Sequence, residues 1–501
     1  MSSDRFDEID KPRSNCGIVG IYNHPQASIM TYFALHALQH RGQEAAGITS
    51  FYYDEKKGKR RYAYTKDEGL VLDIFSDTKL LTEVLKGDMA IGHNRYSTTG
   101  ASKRANIQPF NISYHGGILS LAHNGNLTNT MSLRKKLDDE GAIFTTTSDT
   151  EIFLHLIANS KKPKPKEQIL EALQTVKGAY SLVILAEDSL IAARDPLGFR
   201  PLSIGRIQNE DGSYAYVVAS ETCAFDIINA EYIRSVEHNE MIVINKKTLE
   251  TGEIESYNIL DKKPEARHCI FEYIYFSRPD SKIFGHNVDK VRRKLGKNLA
   301  DESHVVLPSG EKVTVFGVPD SGNTAALGFA RVNDRDYGPA AFEIGLIRSH
   351  YVGRTFIAPE QKHREFKVKV KFNPVKGVIV NRNVVVVDDS IVRGTTSKTL
   401  ISLIREAKPK QIHMRITSPP IKYPCHYGMD FPSREELIAN DYKDEEEIGK
   451  AINVDSLHYL TIEKLLESVP QQDGIGYCTA CFDGNYPIEI EENHTKLSTE
   501  D

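Results

Sequence analysis

The alternation of hydrophobic and polar positions changes character along the chain. As far as about residue 255, short β-branched and aromatic runs are bounded by glycine and polar residues, which is typical of strands, and helical stretches lie between them. The predicted strands cover residues 17–22, 89–93, 118–123, 181–186, 216–219 and 241–244. This mixture predicts an α+β fold with layered sheets. Residues 261–267 are polar and contain a proline, so they predict a linker.

Beyond the linker, predominantly apolar runs alternate with helical stretches. Residues 313–318 and 384–387 predict buried strands, and residues 398–406 predict a helix that follows the second of them. Strands that are apolar on both faces and alternate with helices are typical of a parallel sheet. The second half is therefore predicted to be an α/β domain.

Length and charge restrict the classes of protein that remain. A chain of 501 residues predicts two or more domains, because single cores rarely exceed about 300 residues. The net charge of -5 argues against non-specific binding to nucleic acid or to an anionic membrane surface. The sequence contains no apolar run near the roughly 20 residues that span a bilayer. We therefore predict a soluble, cytoplasmic protein with no nucleic-acid or membrane partner.

Cys16 stands at the start of the first predicted strand, after fifteen mostly polar residues that contain no long apolar run. These residues are either a disordered arm or a leader that is removed. Removal would place an α-amine of pKa about 8 beside a thiol of pKa about 8.5, so that one residue would carry both nucleophile and base. The alternative is that Cys16 is a buried residue of the strand with no catalytic role.

Three further stretches carry candidate polar groups. Arg95 ends a predicted strand, where it could bind a carboxylate or form a surface ion pair. Asn124 and Gly125 end another predicted strand, either as a hairpin turn or as two donors aimed at an oxyanion. The S-D-T-E stretch at 148–151 predicts a capping box between its first and last residues, with Asp149 free to face a ligand from the first turn of the helix.

The run V-V-V-V-D-D-S-I-V-R-G-T-T-S at 384–397 joins a strand to a helix through two carboxylates and a loop rich in hydroxyl groups. Loop N–H groups at the start of a helix form an anion site, which Arg393 and the hydroxyl residues after it can extend. Asp388 and Asp389 could contact sugar hydroxyls or Mg2+. Strand ends also often carry solvated acids, which is the alternative interpretation.

Four cysteines could hold a metal centre. The C-x-x-C pair of Cys478 and Cys481 places two thiolates within reach of one metal, and Cys269 and Cys425 could complete a set of four. The residues alone favour zinc at least as much as iron. Cys223 has no such partner and predicts a small core residue.

The first half resembles the glutaminase domain of N-terminal-nucleophile amidotransferases. The resemblance rests on C-G-I-V-G-I, L-Q-H-R-G-Q-E-A-A-G, H-N-R-Y-S-T, L-A-H-N-G-N and S-D-T-E, which occur in this order. It implies a four-layer αββα sandwich that releases ammonia from glutamine, with Cys16 as nucleophile and base. Arg95 and Asp149 would then bind the carboxylate and the amino group of glutamine. Asn124 and Gly125 would form the oxyanion hole. Gly42 would help to shape the same pocket.

The second half resembles type I phosphoribosyltransferases through the run at 384–397. This resemblance implies a site for phosphoribosyl pyrophosphate, in which Asp388 and Asp389 contact the ribose and help to place Mg2+. G-V-P-D-S at 317–321 is similar to the loop that meets pyrophosphate and metal, so Ser321 is a further candidate for Mg2+. The candidates for binding phosphate and pyrophosphate are Arg393, Gly394, Thr395, Thr396, Ser397, Arg354 and Lys371.

Two further stretches, F-E-Y-I-Y-F-S-R-P-D-S at 271–281 and Y-V-G-R-T-F-I at 351–357, resemble signatures of the amidophosphoribosyltransferase family. The first predicts an aromatic strand that packs the two domains together, and the second a loop over pyrophosphate. Ser349 and His350 depart from the Asn-Arg of many relatives, and V-K-V-K-F-N at 368–373 alters the usual basic segment, so Lys371 is only one candidate for neutralising pyrophosphate.

The family resemblance implies the entry step of purine synthesis, with glutamine and phosphoribosyl pyrophosphate as substrates and purine nucleotides as inhibitors. It further implies a homo-oligomer, and one branch of the family combines a leader with a 4Fe-4S cluster on cysteines in these settings. The implied segments are a leader at 1–15, a glutamine amidotransferase domain at 16–255, a phosphoribosyltransferase domain at 268–470, and a cluster-binding segment and tail at 471–501. The alternatives are an enzyme of the glucosamine-6-phosphate synthase type, which should lack the run at 384–397, and a nucleotide sensor without catalysis.

Overall fold

The computed structural model describes residues 16–96, 104–308, 310–349, 371–431 and 433–491. Within these ranges the strands of the first half are β1 (Gly17–Tyr22), β2 (Ala45–Asp54), β3 (Lys59–Glu68), β4 (Met89–Arg95), β5 (Phe110–Tyr114), β6 (Gly117–Leu127), β7 (Gly178–Ala186), β8 (Ser189–Arg194), β9 (Ser203–Gln208), β10 (Tyr214–Ala219), β11 (Glu231–Ser235), β12 (Glu240–Ile244) and β13 (Glu255–Asn258). The helices are α1 (Ala27–Ala37), α2 (Val71–Ile74), α3 (Thr130–Asp139), α4 (Thr150–Asn159), α5 (Pro165–Thr175), α6 (Cys223–Ile227) and α7 (Lys246–Thr251). Single helical turns cover Leu80–Val84 and Arg104–Asn106.

The thirteen strands form two antiparallel sheets that pack face to face. One has the order β11-β9-β10-β1-β4-β2-β3 and the other the order β13-β12-β8-β7-β6-β5. The alternation of side chains along β1 explains the layering. Ile18 packs in the core between the sheets, whereas Val19 and Ile21 pack in the core that includes α1. With α3, α4 and α5 covering the second sheet, the layers are those of the predicted αββα sandwich, which is confirmed.

The described strands of the second half are β14 (Ala266–Cys269), β15 (Lys282–Ile283), β16 (His286–Asn287), β17 (Val313–Gly317), β18 (Ala340–Phe342), β19 (Leu346–Arg348), β20 (Phe372–Pro374), β21 (Asn383–Asp388), β22 (Gln411–Ile416), β23 (Ser456–Tyr459) and β24 (Ile475–Cys478). The helices are α8 (Val288–Ser303), α9 (Asn323–Val332), α10 (Lys376–Ile379), α11 (Thr395–Glu406), α12 (Ile438–Asp441), α13 (Glu445–Ile452), α14 (Ile462–Ser468) and α15 (Ala480–Asp483), with single helical turns at Glu272–Phe276, Asn333–Tyr337 and Arg434–Glu436.

The centre of the second half is a parallel sheet with the order β18-β17-β21-β22-β23. All six residues of β21 are buried, because helices cover both faces of the sheet. Val385 and Val387 pack in one core, and Val384 and Val386 pack in the core on the opposite face. The predicted parallel α/β domain is therefore confirmed.

A separate two-stranded ladder joins distant parts of the chain. β14 pairs in parallel with β24, so that Cys269 lies opposite Cys478. The predicted linker at 261–267 therefore ends inside a strand. No helix within the described ranges combines the length and the apolar character needed to cross a membrane.

Three local predictions were wrong. β6 continues to Leu127, because its pairing with β7 runs on through Asn124 and Gly125, where the sequence predicts a strand end. The stretch predicted as an aromatic strand contains the helical turn Glu272–Phe276. α11 begins at Thr395, three residues before its predicted start.

Candidate active site

Cys16 lies directly before β1, at the edge of a small pocket. Its side chain is buried, and Sγ lies 3.4 Å from the carbonyl oxygen of Tyr96, to which it donates a hydrogen bond. Arg95, Gly125 and Asp149 line the same pocket, so four candidates from separate motifs converge. The other lining residues are Tyr96, Gln108, His123, Ser148 and Thr150.

The surroundings of the Cys16 thiol determine how easily it loses its proton. Burial raises the pKa of the Cys16 thiol, because the thiolate loses hydration. The positive charge of Arg95 opposes this effect. A proton acceptor next to the sulfur is therefore needed for the thiolate to form near neutral pH.

Gly42 and Arg95 are in close contact at the end of β4. A Cβ atom on Gly42 would lie 2.7 Å from the carbonyl carbon atoms of Asn94 and Arg95. Real Cβ atoms essentially never approach backbone so closely, so a larger residue would displace the end of the strand. Gly42 thus allows the backbone that carries Arg95 to reach the pocket.

Asn124 and Gly125 lie inside β6, next to β7. The side chain of Asn124 is fully buried, and neither its Oδ1 nor its Nδ2 has a hydrogen-bond partner among the described residues. A Cβ atom on Gly125 would lie 2.0 Å from the carbonyl oxygen of Ala179, which makes glycine necessary here. The hairpin alternative for this pair is excluded by the continuous strand. An unpaired buried amide next to the pocket is a group that a ligand can satisfy.

Asp149 is held at the start of α4. One carboxylate oxygen accepts a 2.9 Å hydrogen bond from the Leu127 backbone N–H, and the other lies 4.0 Å from His123 Nδ1. The predicted capping box is wrong, because the carboxylate of Glu151 accepts hydrogen bonds from Thr145 and Thr146. Burial would raise the pKa of Glu151, but the interaction with His155, together with the hydrogen bonds from Thr145 and Thr146, outweighs burial and lowers that pKa to about 2.

Gln108 and His123 belong to the pocket but were not predicted. The Gln108 side chain accepts a 2.7 Å hydrogen bond from the His123 N–H and donates one of 3.1 Å to Thr150 Oγ1. His123 Nδ1 lies 3.0 Å from the same hydroxyl. His123 stands within L-A-H-N-G-N and could have been found there, whereas nothing around Gln108 indicates that it reaches β6.

The candidates for Mg2+ lie at the carboxyl ends of β17 and β21. Asp388 is the last residue of β21, and both it and Asp389 are buried. Ser321 Oγ donates a 2.5 Å hydrogen bond to Asp389 Oδ1. Three oxygen-bearing side chains from two separate motifs are thus brought to the same edge of the sheet, and oxygen ligands are those that Mg2+ prefers.

The candidate phosphate loop leads directly into α11. Gly394 has a φ of 79° and precedes the helix, so Thr395, Thr396 and Ser397 form its first turn. Arg393 Nε lies 3.3 Å from Glu436 Oε1. Lys371 lies just before β20, where its carbonyl oxygen accepts a hydrogen bond from the Ser349 N–H. Arg354 lies outside the described residues.

The four candidate cysteines line one apolar cavity. Cys269, Cys425, Cys478 and Cys481 face it together with Phe199, Phe271, Tyr427, Met429, Ala480 and Tyr486. Burial raises the pKa of the Cys269 thiol to about 11 and those of Cys478 and Cys481 well above the usual value. Within the described ranges, no three or more His, Cys, Asp or Glu side chains are spaced to hold a single metal ion. Cys223 is buried in the core beside α1, as expected of a core residue.

A buried ionic network, which sequence reasoning missed, links the two halves. Arg41 donates to Glu221 and, at 2.8 Å, to Glu272, which also lies 3.4 Å from Arg200. All four side chains are fully buried. Burial alone would lower the pKa of Arg41, but the two carboxylates outweigh it and raise that pKa. Arg41 Nε also donates to the Cys16 carbonyl oxygen at 3.2 Å, so the network ends beside the pocket.

Comparison with known proteins supplies the context for this geometry. Residues 93–226 match a family model described as a glutamine amidotransferase domain. The chain is 50% identical over 482 residues to the chloroplastic amidophosphoribosyltransferase of Vigna aconitifolia, covering 96% of this chain and 93% of that protein. It is 45% identical over 490 residues to amidophosphoribosyltransferase of Bacillus subtilis (strain 168), covering 97% of each.

Among solved structures, the chain is similar to the glutamine phosphoribosylpyrophosphate amidotransferase of B. subtilis in complex with ADP and GMP. The TM-score is 0.84 at 44% sequence identity, and the match covers 96% of this chain and 99% of that chain. A structure described as the allosteric regulatory enzyme of purine biosynthesis gives the same TM-score and covers 95% of this chain. Because the similarity extends over both halves at 44–50% identity, the chain belongs to the amidophosphoribosyltransferase family.

Proposed function

We propose that the chain transfers ammonia from glutamine to phosphoribosyl pyrophosphate, giving 5-phosphoribosylamine, glutamate and pyrophosphate, the entry step of de novo purine biosynthesis. The observation that carries the proposal is the single pocket lined by Cys16, Arg95, Gly125 and Asp149. Relatives that are 45% and 50% identical over nearly the whole chain support it. These relatives match the second half of the chain as well as the first, which argues against an enzyme of the glucosamine-6-phosphate synthase type.

We divide the work between two domains, residues 16–255 for glutamine hydrolysis and residues 268–470 for phosphoribosyl transfer, with a cysteine-bearing segment at 471–501. Residues 1–15 are proposed to be a leader. Its removal would free the α-amine of Cys16, which then takes the proton of the adjacent thiol. The raised pKa of the buried thiol supports the need for such a base.

In the first domain, the Cys16 sulfur attacks the amide carbon of glutamine, while Arg95 and Asp149 bind the carboxylate and the amino group. The negative charge that develops on oxygen is stabilised by the Asn124 amide and the Gly125 N–H. The C–N bond then breaks, ammonia leaves with the transferred proton, and water hydrolyses the thioester to glutamate. The unpaired buried amide of Asn124 supports its role as a donor.

In the second domain, the nitrogen lone pair of ammonia attacks the anomeric carbon, and the bond from that carbon to pyrophosphate breaks. Residues 393–397 bind the 5-phosphate through the loop and the first turn of α11, supported by the helix start at Thr395. Arg354 and Lys371 are proposed to bind pyrophosphate. Mg2+ held by Ser321, Asp388 and Asp389 would neutralise the charge of the leaving pyrophosphate.

We further propose that Cys269, Cys425, Cys478 and Cys481 hold one 4Fe-4S cluster that ties the C-terminal segment to the domain junction. The convergence of four thiols in an apolar cavity supports this donor set. Purine nucleotides are proposed inhibitors, since the similar B. subtilis structure contains ADP and GMP, and a homo-oligomer is proposed. The proposed compartment is the cytoplasm, although the Vigna aconitifolia relative is named as chloroplastic.

The proposal is tested by measuring pyrophosphate release with glutamine and with ammonia as nitrogen donors, side by side with N-terminal sequencing. We expect release with both donors, and glutamine-dependent release only from chains that begin at Cys16. Absence of turnover with either donor would contradict the assignment and favour a nucleotide sensor. Normal glutamine hydrolysis by chains that still begin at Met1 would show that the base lies elsewhere.

A further inference from the structure

A loop of the second half lies directly against the strand that carries Asn124 and Gly125. Asn126, two residues after Asn124 on β6, donates a 3.0 Å hydrogen bond from Nδ2 to the backbone carbonyl oxygen of His426. Asn126 is buried, and 300 positions separate the two residues in the chain. The side chain thus joins the strand to the crossover between β22 and β23.

Gly428 brings the same loop still closer to the strand. Its φ is 100°, and a Cβ atom there would lie 3.1 Å from the Gly125 carbonyl carbon and 3.3 Å from Arg200 Nη2. Contacts of 3.1 Å are tighter than nine in ten real Cβ contacts, so the neighbours would have to move. The backbone of the loop is therefore in contact with the backbone of Gly125.

Two further contacts, both made by Tyr427, hold the loop against the first half. Arg200 Nη2 donates a 2.6 Å hydrogen bond to the Tyr427 carbonyl oxygen, and the Tyr427 ring stacks on Phe199 with 4.4 Å between ring centroids. Consecutive carbonyl groups of the loop are thus held by side chains of the first half. On its other side, the Tyr427 N–H donates a 3.4 Å hydrogen bond to Cys425 Sγ.

We propose that Asn126 is a positioning residue for glutamine hydrolysis, and that the loop 425–428 supports the oxyanion hole from outside the glutaminase domain. The inference rests on the proposed function, because it gives Asn124 and Gly125 that role. Oxyanion donors act only when they lie about 2.7 to 3.1 Å from the charge that develops. A strand that shifts by a fraction of an ångström therefore slows the chemical step without weakening the binding of glutamine.

The direct test is Asn126→Ala. We expect kcat for glutamine hydrolysis to fall by at least about tenfold, less than the roughly 10²- to 10³-fold typical of removing an oxyanion donor outright. We expect KM for glutamine to change by less than about twofold. Ammonia-dependent synthesis should be retained, since the side-chain hydrogen bonds that the structure describes for Asn126 run to Leu127 and His426, outside both proposed phosphoribosyl motifs. The rate at which iodoacetamide alkylates Cys16 reports whether the pocket itself is intact and should stay close to that of the unmodified chain.

Asn129→Ala is the matched control. Asn129 lies just beyond β6, and its side chain donates a hydrogen bond to the Thr175 carbonyl oxygen and accepts one from the Lys177 N–H, both within the glutaminase domain. We expect it to lower the midpoint of thermal unfolding without changing kcat for hydrolysis. An equal loss of kcat in both variants would mean that general destabilisation is responsible, which would overturn the inference.

Gly428→Ala tests the contact from the opposite side and serves if Asn126→Ala fails to fold. Its added methyl group should lower kcat for glutamine hydrolysis while sparing KM and ammonia-dependent synthesis. The inference is wrong if either folded variant keeps hydrolysis within twofold of the unmodified chain, or if both nitrogen donors are lost in parallel. Failure of the proposed function is distinguishable, because the unmodified chain would then give no pyrophosphate with either donor.

Discussion

The hydroxyl group of Ser321 donates a 2.5 Å hydrogen bond to Oδ1 of Asp389, which joins the loop after β17 to the end of β21. The second carboxylate oxygen of Asp389 accepts a 2.6 Å hydrogen bond from Ser390. Asp389 is almost fully buried, so its charge depends on these donors and on any cation that binds at the edge of the sheet.

Asp389→Asn should therefore weaken binding of Mg2+ and phosphoribosyl pyrophosphate. Loss of one charged contact is typically worth about 1.5 to 3 kcal/mol, so we expect KM to rise roughly tenfold or more. Synthesis should fall with either nitrogen donor, while slow hydrolysis of glutamine persists. Initial rates at several concentrations of Mg2+ and phosphoribosyl pyrophosphate measure this.

Asp444→Asn is the control, because Asp444 caps α13 and asparagine caps a helix equally well. Asp444→Asn should leave the requirements for Mg2+ and for phosphoribosyl pyrophosphate unchanged. Kinetics of Asp389→Asn that match those of Asp444→Asn would remove Asp389 from the site.

The ionic network at the junction makes a prediction about stability. Glu272→Gln leaves Arg41 and Arg200 buried beside a neutral amide, and breaking a buried pair typically costs about 3 to 5 kcal/mol. Equilibrium unfolding in urea should show this loss. Glu265→Gln, which affects an exposed pair with Arg267, should cost less than about 1 kcal/mol. Similar losses in the two variants would contradict the structural role of the network.

Sequence motifs predicted Cys16, Arg95 and Asp149, three of the nine residues that line the proposed glutamine pocket, because each stands beside a strand or helix end with its own local signal. Arg95 ends β4, Asp149 precedes α4 and Cys16 precedes β1. Four-layer packing then brings these ends together. Asp389 was predicted from the paired carboxylates at a strand end, and Ser321 from the resemblance of G-V-P-D-S to a metal-binding loop. The structure brings the two together because the carboxyl ends of parallel strands share one edge of a sheet.

What escaped prediction depends on contacts that have no local signal. Glu272 meets Arg41 across 231 positions, and its neighbours are aromatic residues whose pattern favours a strand. The Asn124-Gly125 pair resembles a turn, but pairing with β7 holds it in a strand. Tertiary contacts override local preference in both cases.

The cysteine cavity predicts a stabilising metal centre. Cys478→Ser should lower the iron content, the yield of soluble protein and its resistance to proteases together, whereas Cys223→Ser, in a different core, should retain iron. Metal and sulfide analysis of the unmodified chain measures the centre directly. About four irons with matching sulfide per chain is the expected result, and one zinc without sulfide would contradict it.

The central claim is that glutamine hydrolysis and phosphoribosyl transfer are performed by separate domains, and Cys16→Ala tests it most directly. Glutamine-dependent and ammonia-dependent pyrophosphate release should be measured in parallel for this variant, with Cys223→Ala as the control for loss of a buried thiol. The account predicts that glutamine-dependent release is abolished in Cys16→Ala while ammonia-dependent release stays within about twofold of the unmodified chain, since the nucleophile takes no part in the second reaction. Equal loss of both activities in Cys16→Ala would contradict the account.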